Sequence, residues 1–79
     1  MTEVGVREKV MQVLKNVLNL DDGVGTDQLI KKETEAWDSL KHISIVAELE
    51  IAFDIQFEPE DIVNLISGDE ITRIIYEKL

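Results

Sequence analysis

Apolar residues recur at three- and four-residue intervals along most of this chain, and no strand-like alternation extends beyond three residues. Such spacing is typical of amphipathic helices. With no cysteine among its 79 residues, the chain can build neither a disulfide framework nor a thiolate metal site. The sequence therefore predicts an all-α fold held together by packing alone, in one domain that spans residues 1–79.

The first two predicted helices are separated by an unusually long loop. A helical pattern covers residues 3–20, and a second pattern runs from about Ser39 to Phe53. Residues 21–37 between them show no period and are rich in loop-forming residues. Loops of this length in compact domains are functional or are held by anchors of their own. The expected anchors are Leu29, Ile30 and Trp37.

Two shorter helices complete the predicted bundle. Glu58-Pro59 reads as an N-cap followed by a first-turn proline, so a brief third helix is expected from there to Ile66. Ser67-Gly68 should end that helix, and Asp69 should cap the last one. The apolar side of the last helix is formed by Ile71, Ile74, Ile75 and Leu79. The prediction is a four-helix bundle with a long first loop and a short third helix.

The second helix carries two apolar stripes. At about 100° per residue, one set is expected to face the core: Ile45, Val46, Leu49, Ala52 and Phe53. The other set lies on nearly the opposite side: Leu40, Ile43, Ala47 and Ile51. A surface helix needs only one stripe. The second stripe indicates either a helix buried on both sides or a docking surface for a partner.

Negative charge is concentrated in the second half of the chain. The net charge is −9, and between Ile43 and Thr72 there is no Lys or Arg. That segment holds eight acids: Glu48, Glu50, Asp54, Glu58, Glu60, Asp61, Asp69 and Glu70. They form either a solvated surface or a field that attracts basic partners. Binding to nucleic acid is not expected, because it depends on Lys and Arg at the phosphates.

The chain offers few groups for catalysis or metal binding. Ser39 and His42 are three residues apart, but the G-x-S-x-G nucleophile elbow is missing, and His42 projects toward the core stripe as structural histidines do. The run from Asp21 to Asp27 lacks the alternating acids and the closing Glu of an EF-hand. With one His and no Cys, a zinc site is not expected either. The sequence predicts neither a catalytic residue nor a metal site.

The sequence shows no targeting signal and no membrane-spanning segment. No apolar run approaches the roughly 20 residues that span a bilayer, and the first ten residues lack the apolar stretch of a signal peptide. We therefore expect a cytoplasmic protein with no membrane insertion.

The run Trp37-Asp38-Ser39-Leu40 begins a pattern that resembles a known family. It is followed by His42-Ile43, Ile45-Val46, Leu49-Glu50, Phe53 and Ile55-Gln56-Phe57. This pattern resembles the acyl carrier proteins and the related peptidyl carriers. The likeness covers almost the whole chain, in its size, acidity, four predicted helices, long first loop and motif position.

The resemblance implies a carrier that is not an enzyme. Ser39 would hold a covalent 4′-phosphopantetheine, whose thiol carries acyl groups as thioesters, and Asp38 would be its flanking acid. Partner enzymes would contact Leu40, Ile43, Ala47, Glu48, Glu50 and Ile51. An acyl chain could be sheltered between helices by Ile45, Leu49, Phe53, Ile62 and Ile74. The implied partners are a phosphopantetheinyl transferase, an acyl- or aminoacyl-loading ligase, and condensing or transferring enzymes with basic docking surfaces, acting on a monomeric carrier.

Some residues depart from the pattern of the general fatty-acid carriers. Lys41 and Ser44 stand where an acid is often found, and the loop carries Lys31-Lys32 before the motif. These differences favour a specialised carrier as much as one of general fatty-acid, lipid or polyketide-type synthesis. Two alternatives stay open, an aminoacyl or peptidyl carrier and an unmodified helical interaction module in which Ser39 is only a cap.

Overall fold

The architecture is described from a computed structural model, which defines residues 2–20, 23, 25 and 29–79. These residues form four α-helices: α1 (Glu3–Leu18), α2 (Ser39–Phe53), α3 (Pro59–Val63) and α4 (Gly68–Lys78). A short 3-10 helix, Lys31–Glu33, lies in the first loop. No strand is present in these ranges, so the all-α prediction is confirmed. Most of the run from Asp21 to Asp27 lies outside the described residues.

The helices begin and end where side chains satisfy their terminal backbone groups. The Thr2 hydroxyl accepts a hydrogen bond from the Gly5 amide at 3.1 Å and so caps α1. Asn19 adopts the left-handed conformation with φ of 56° and ends α1 at Leu18, two residues before the end that periodicity predicted. The second helix ends in the same way, at Asp54 with φ of 53°, and its bounds agree with the prediction.

The junction between α3 and α4 differs from the prediction. The third helix ends at Val63, before Ile66, and Ser67 caps α4 by accepting a hydrogen bond from the Glu70 amide at 3.1 Å. Asp69, the expected cap, lies in the first turn instead. At this junction the first loop binds the backbone on either side of Ser67.

The first loop is fastened to this junction by backbone hydrogen bonds. The Lys31 amide donates to the Ile66 carbonyl at 2.7 Å, and the Gly68 amide donates to the Leu29 carbonyl at 2.9 Å. Leu29 and Trp37 are buried, as expected of anchors, and Ile30 is half-buried. These bonds pair the Ile66 carbonyl and the Gly68 amide with the loop on either side of Ser67, and α4 starts afresh at that residue.

The core lies between α1 and the two helices that pack against it, α2 and α4. Its fully buried apolar side chains come from all three of them and from the α3–α4 junction: Val6, Val10, Leu14, Ile45, Leu49, Leu65, Ile71 and Ile75. In α2 the predicted core stripe is buried at Ile45, Leu49 and Phe53 and half-buried at Val46 and Ala52. None of the described helices is both long enough and apolar enough to cross a lipid bilayer.

An ion pair joins α3 to α4. Lys78 Nζ lies 2.7 Å from Asp61 Oδ2, which also accepts a hydrogen bond from the Glu58 amide at 2.9 Å. The hydrogen bond from Lys78 and then that from Glu58 hold the pKa of the Asp61 carboxyl below its usual value. A lowered pKa in the folded state means that the charged carboxylate stabilises the fold above the pKa of the unfolded chain.

This contribution should disappear in acid. Asp61→Asn keeps an acceptor for Glu58 but removes the charge that faces Lys78, so its melting temperature should fall below that of the native chain at pH 7. The difference should shrink as the pH falls through the lowered pKa of Asp61, because the native carboxyl is then protonated. Thermal melting across the acid range tests this, with Glu8→Gln on exposed α1 surface as control. A difference independent of pH would contradict the assignment.

Candidate functional site

Ser39 is the first residue of α2 and is exposed. Asp38 before it is the N-cap, and its Oδ1 accepts a hydrogen bond from the Lys41 amide at 2.9 Å. Its carbonyl accepts the first helical hydrogen bond, from the His42 amide at 2.9 Å. The cap is therefore made by Asp38, and the hydroxyl of Ser39 is displayed at a helix N-terminus, where the dipole favours an anionic group.

The second apolar stripe of α2 lies on the surface. Leu40, Ile43 and Ile51 are 76%, 66% and 76% exposed, and Ala47 is also exposed. We call these four residues the outer face. Of the two explanations for a second stripe, burial on both sides is therefore excluded in the isolated chain. An apolar surface remains that begins one residue after Ser39.

The acids predicted to flank the outer face have different environments. Glu48 is exposed. Glu50 is half-buried, and its Oε2 accepts a hydrogen bond from the Phe57 amide at 2.9 Å. This contact, which has no signature in the sequence, holds the extended segment after α2 against the helix. It gives Glu50 a structural role in addition to the role at a partner surface that the resemblance implies.

Two exposed apolar residues, one at the end of α3 and one between α3 and α4, were not predicted as surface groups. Val63 is 74% exposed and Ile66 is 49% exposed, although the sequence pattern placed both in the apolar set of a longer helix. A five-residue helix is too short to show a one-sided period, so its sequence could not separate inner from outer positions. They add exposed apolar surface at the end of α3 and in the α3–α4 junction.

His42 connects three segments near Ser39. Trp37 Nε1 donates a hydrogen bond to His42 Nδ1 at 3.0 Å, and His42 Nε2 lies 2.9 Å from the Ile62 carbonyl oxygen. Because an indole N–H only donates and a carbonyl only accepts, the ring is neutral with its hydrogen on Nε2. The two rings also stack, with centroids 6.1 Å apart. We call this arrangement the His42 bridge.

The His42 bridge leaves the histidine unsuited to general-base chemistry on Ser39. Both ring nitrogens are engaged, one by Trp37 and one by Ile62. A serine hydrolase would need one nitrogen on the nucleophile and the other on an orienting acid. The geometry is that of a structural histidine, as the sequence indicated.

Three lysines of the predicted site region line two surface clefts. Lys41 borders a cleft of about 380 Å³ between α1 and α2, whose other lining residues are Val13, Asn16, Val17, Ser44 and Glu48. Lys31 and Lys32 border a cleft of about 260 Å³ with Ile30 and Ile66. Neither cleft is lined by Ser39, so these lysines do not line the predicted attachment point.

The residues expected to shelter an acyl chain lie in the core. Ile45 and Leu49 are fully buried, Phe53 and Ile74 are nearly so, and Ile62 is half-buried. Phe53 also has Lys9 Nζ 5.2 Å from its ring centroid, which covers the far end of α2. The structure places this set in the same interior, and its role in holding a chain stays a prediction.

No protein-family model, curated protein or solved structure matches this chain. Among the residues that the structure defines, no group of three or more His, Asp or Glu could hold a metal ion. The function is therefore inferred from the geometry around Ser39.

Removing the imidazole should measure the contribution of the His42 bridge. His42→Ala leaves the buried Trp37 N–H and the Ile62 carbonyl without their partner, so the free energy of unfolding should fall by about 2 kcal/mol or more. Urea denaturation gives the value, and Ser44→Ala, which truncates an exposed side chain in the next turn, should change it by less than about 0.5 kcal/mol. Equal effects of the two substitutions would show that the bridge contributes nothing.

Proposed function

We propose that this protein is a carrier that holds acyl groups as thioesters on a 4′-phosphopantetheine arm attached to Ser39. The observation that carries the proposal is the exposed hydroxyl of Ser39 at the start of α2, directly before the exposed outer face. A serine that serves only as a helix cap would stand one position earlier, where Asp38 already does so. The arrangement of the helices would then be the carrier-type bundle.

The attachment point suits the group that the resemblance implies. The exposed position of Ser39 leaves room for a bulky substituent, and the first turn of α2 directs backbone N–H groups toward a phosphodiester. When bound, the group supplies a flexible arm that ends in a thiol, which this cysteine-free chain lacks. Asp38 keeps the helix start fixed while the serine is modified, because the cap does not involve the serine hydroxyl.

The modification would be a phosphoryl transfer from coenzyme A. Ser39 Oγ would form a bond to the phosphorus that bears pantetheine, adenosine 3′,5′-bisphosphate would leave, and the hydroxyl proton would pass to a base of the transferase. Nothing in this step requires a catalytic group from the carrier. This agrees with the His42 bridge, whose nitrogens are both occupied.

The outer face would be the contact for partner enzymes. Its apolar side chains follow Ser39 along one side of α2, and exposed Glu48 lies at its flank. Burying apolar groups gives affinity, while acids at the rim attract and orient basic partners. A transferase, a loading ligase and the enzymes that use the cargo would each need access to this surface.

Modification of the purified protein tests the attachment directly. Incubation with coenzyme A and a broad-specificity phosphopantetheinyl transferase should add the mass of one arm, and Ser39→Ala should abolish the gain. Ser44→Ala is the matched control, because it removes an exposed hydroxyl from the same helix and should be modified normally. If the native chain gains no mass, or Ser39→Ala gains as much, the carrier function is wrong and an unmodified interaction module becomes the better explanation.

The electrostatic part of the docking surface gives a second prediction. Glu48→Lys reverses a charge beside the outer face and should lower kcat/KM for modification, with the loss reduced at high salt because exposed charges are screened. Glu8→Lys makes the same change on exposed α1 surface and should leave kcat/KM close to the native value. Equal losses in the two variants would mean that net charge matters and the position on α2 does not.

A further inference from the structure

The region beneath Ser39 is closed by the His42 bridge. Trp37, only 3% exposed, stands before the motif, and His42 lies one helical turn after Ser39 on the side of α2 that faces α3. Hydrogen bonds of 3.0 and 2.9 Å join Trp37, His42 and the Ile62 carbonyl in series. A group tethered at Ser39 that turned toward the core between α2 and α3 would meet this contact first.

The other side of α2 offers a polar approach. The cleft between α1 and α2 is lined by Lys41, Glu48, Ser44 and Asn16 as well as by two valines. The methylenes of an alkyl chain would gain little by entering a cleft with two charged side chains, since those groups would lose water without gaining a partner. Among the described residues, the contact to Ile62 on one flank of α2 and the charged cleft on the other leave no apolar entrance beside Ser39.

We propose that the His42 bridge shuts the α2–α3 side to the tethered cargo, which stays in solvent. A short or polar acyl group, aminoacyl groups included, suits this position, because a long alkyl chain would leave its apolar surface in water. This inference rests on the proposed function and narrows its substrate class. It also departs from the expectation that Ile45, Leu49, Phe53, Ile62 and Ile74 shelter a chain. Admission of an alkyl chain between α2 and α3 would separate His42 Nε2 from the Ile62 carbonyl and leave that carbonyl without its partner.

The bridge itself can be observed in the unmodified protein. The ¹⁵N resonances of the His42 ring should show the neutral tautomer with hydrogen on Nε2, and the Trp37 indole proton should exchange slowly with solvent. Trp37→Phe, which keeps an aromatic ring but removes the donor, should shift the His42 Nδ1 resonance. A tautomer with hydrogen on Nδ1, or a freely exchanging indole proton, would overturn the proposal before any arm is attached.

The cargo class is tested by comparing a short and a long acyl group. Ser39 is loaded with acetyl- or octanoyl-phosphopantetheine, and hydroxylamine cleavage of each thioester is compared with that of the same acyl-pantetheine free in solution. For the native protein the two normalised rates should be equal, a ratio of about 1, because both thioesters remain in solvent. A slower normalised rate for octanoyl, with shifts of the Ile45 and Leu49 methyl resonances, would overturn the proposal.

Opening the bridge should reverse the result for the long chain. In His42→Ala, which removes the contact to the Ile62 carbonyl, the octanoyl thioester should be cleaved more slowly than the acetyl one. Trp37→Phe, which removes only the hydrogen bond that holds the His42 ring, should give the same result more weakly. Equal rates in both variants would show that the bridge does not exclude the chain. Failure to attach any arm, read as intact mass, overturns the carrier function itself, whereas attachment with a protected octanoyl group overturns only the inference on cargo.

Discussion

The His42 bridge is the contact on which the geometry around Ser39 depends. The motif stands at the end of a long loop, and a helix that begins after such a loop could take many orientations. Trp37 fixes the loop side and the Ile62 carbonyl fixes the α3 side, and the same imidazole serves both. A neutral ring with one donor and one acceptor is the side chain that can satisfy both neighbours at once.

The two sides of α2 have different environments, one in the core and one in solvent. Its buried side supplies Ile45, Leu49 and Phe53 to a core that has no disulfide to support it. Its other side presents apolar residues that the isolated chain leaves in solvent. An exposed apolar face contributes nothing to the stability of a small domain, where little surface is buried to begin with. Contact with partner proteins would cover this face, as the proposed carrier function requires.

Local signals predicted α2 well and the α3–α4 junction poorly, for a physical reason. Asp38 and Asp54 delimit α2 through their own side chain or backbone conformation, which neighbouring sequence can encode. Ser67 became a cap because the loop residues Leu29 and Lys31 bind the backbone on either side of it. Such hydrogen bonds link positions far apart in sequence and involve only main-chain atoms. No pattern of side chains in the sequence therefore predicts them.

The same limit applies within the candidate site. The position of Ser39 and the exposure of its neighbours follow from helical periodicity and from a cap, both local properties. The partners of His42 and the bond from Phe57 to Glu50 depend on how α3 and the following segment fold back on α2. The sequence therefore predicts the position of Ser39 at the start of α2, and the structure adds the contacts of His42 and Glu50 that hold the surrounding segments in place.

The distribution of ion pairs strengthens the distinction between α2 and the other helices. In the described part of the chain, every ion pair joins residues of α1, α3 or α4, through Arg7, Arg73 and Lys78. Glu48 and Lys41 on α2 take part in none of them. Charges already paired within the fold are partly neutralised toward an incoming protein, whereas unpaired ones are reduced only by solvent and salt. In the proposed carrier, Lys41 and Glu48 would be among the charges that a partner enzyme meets beside Ser39 and the outer face.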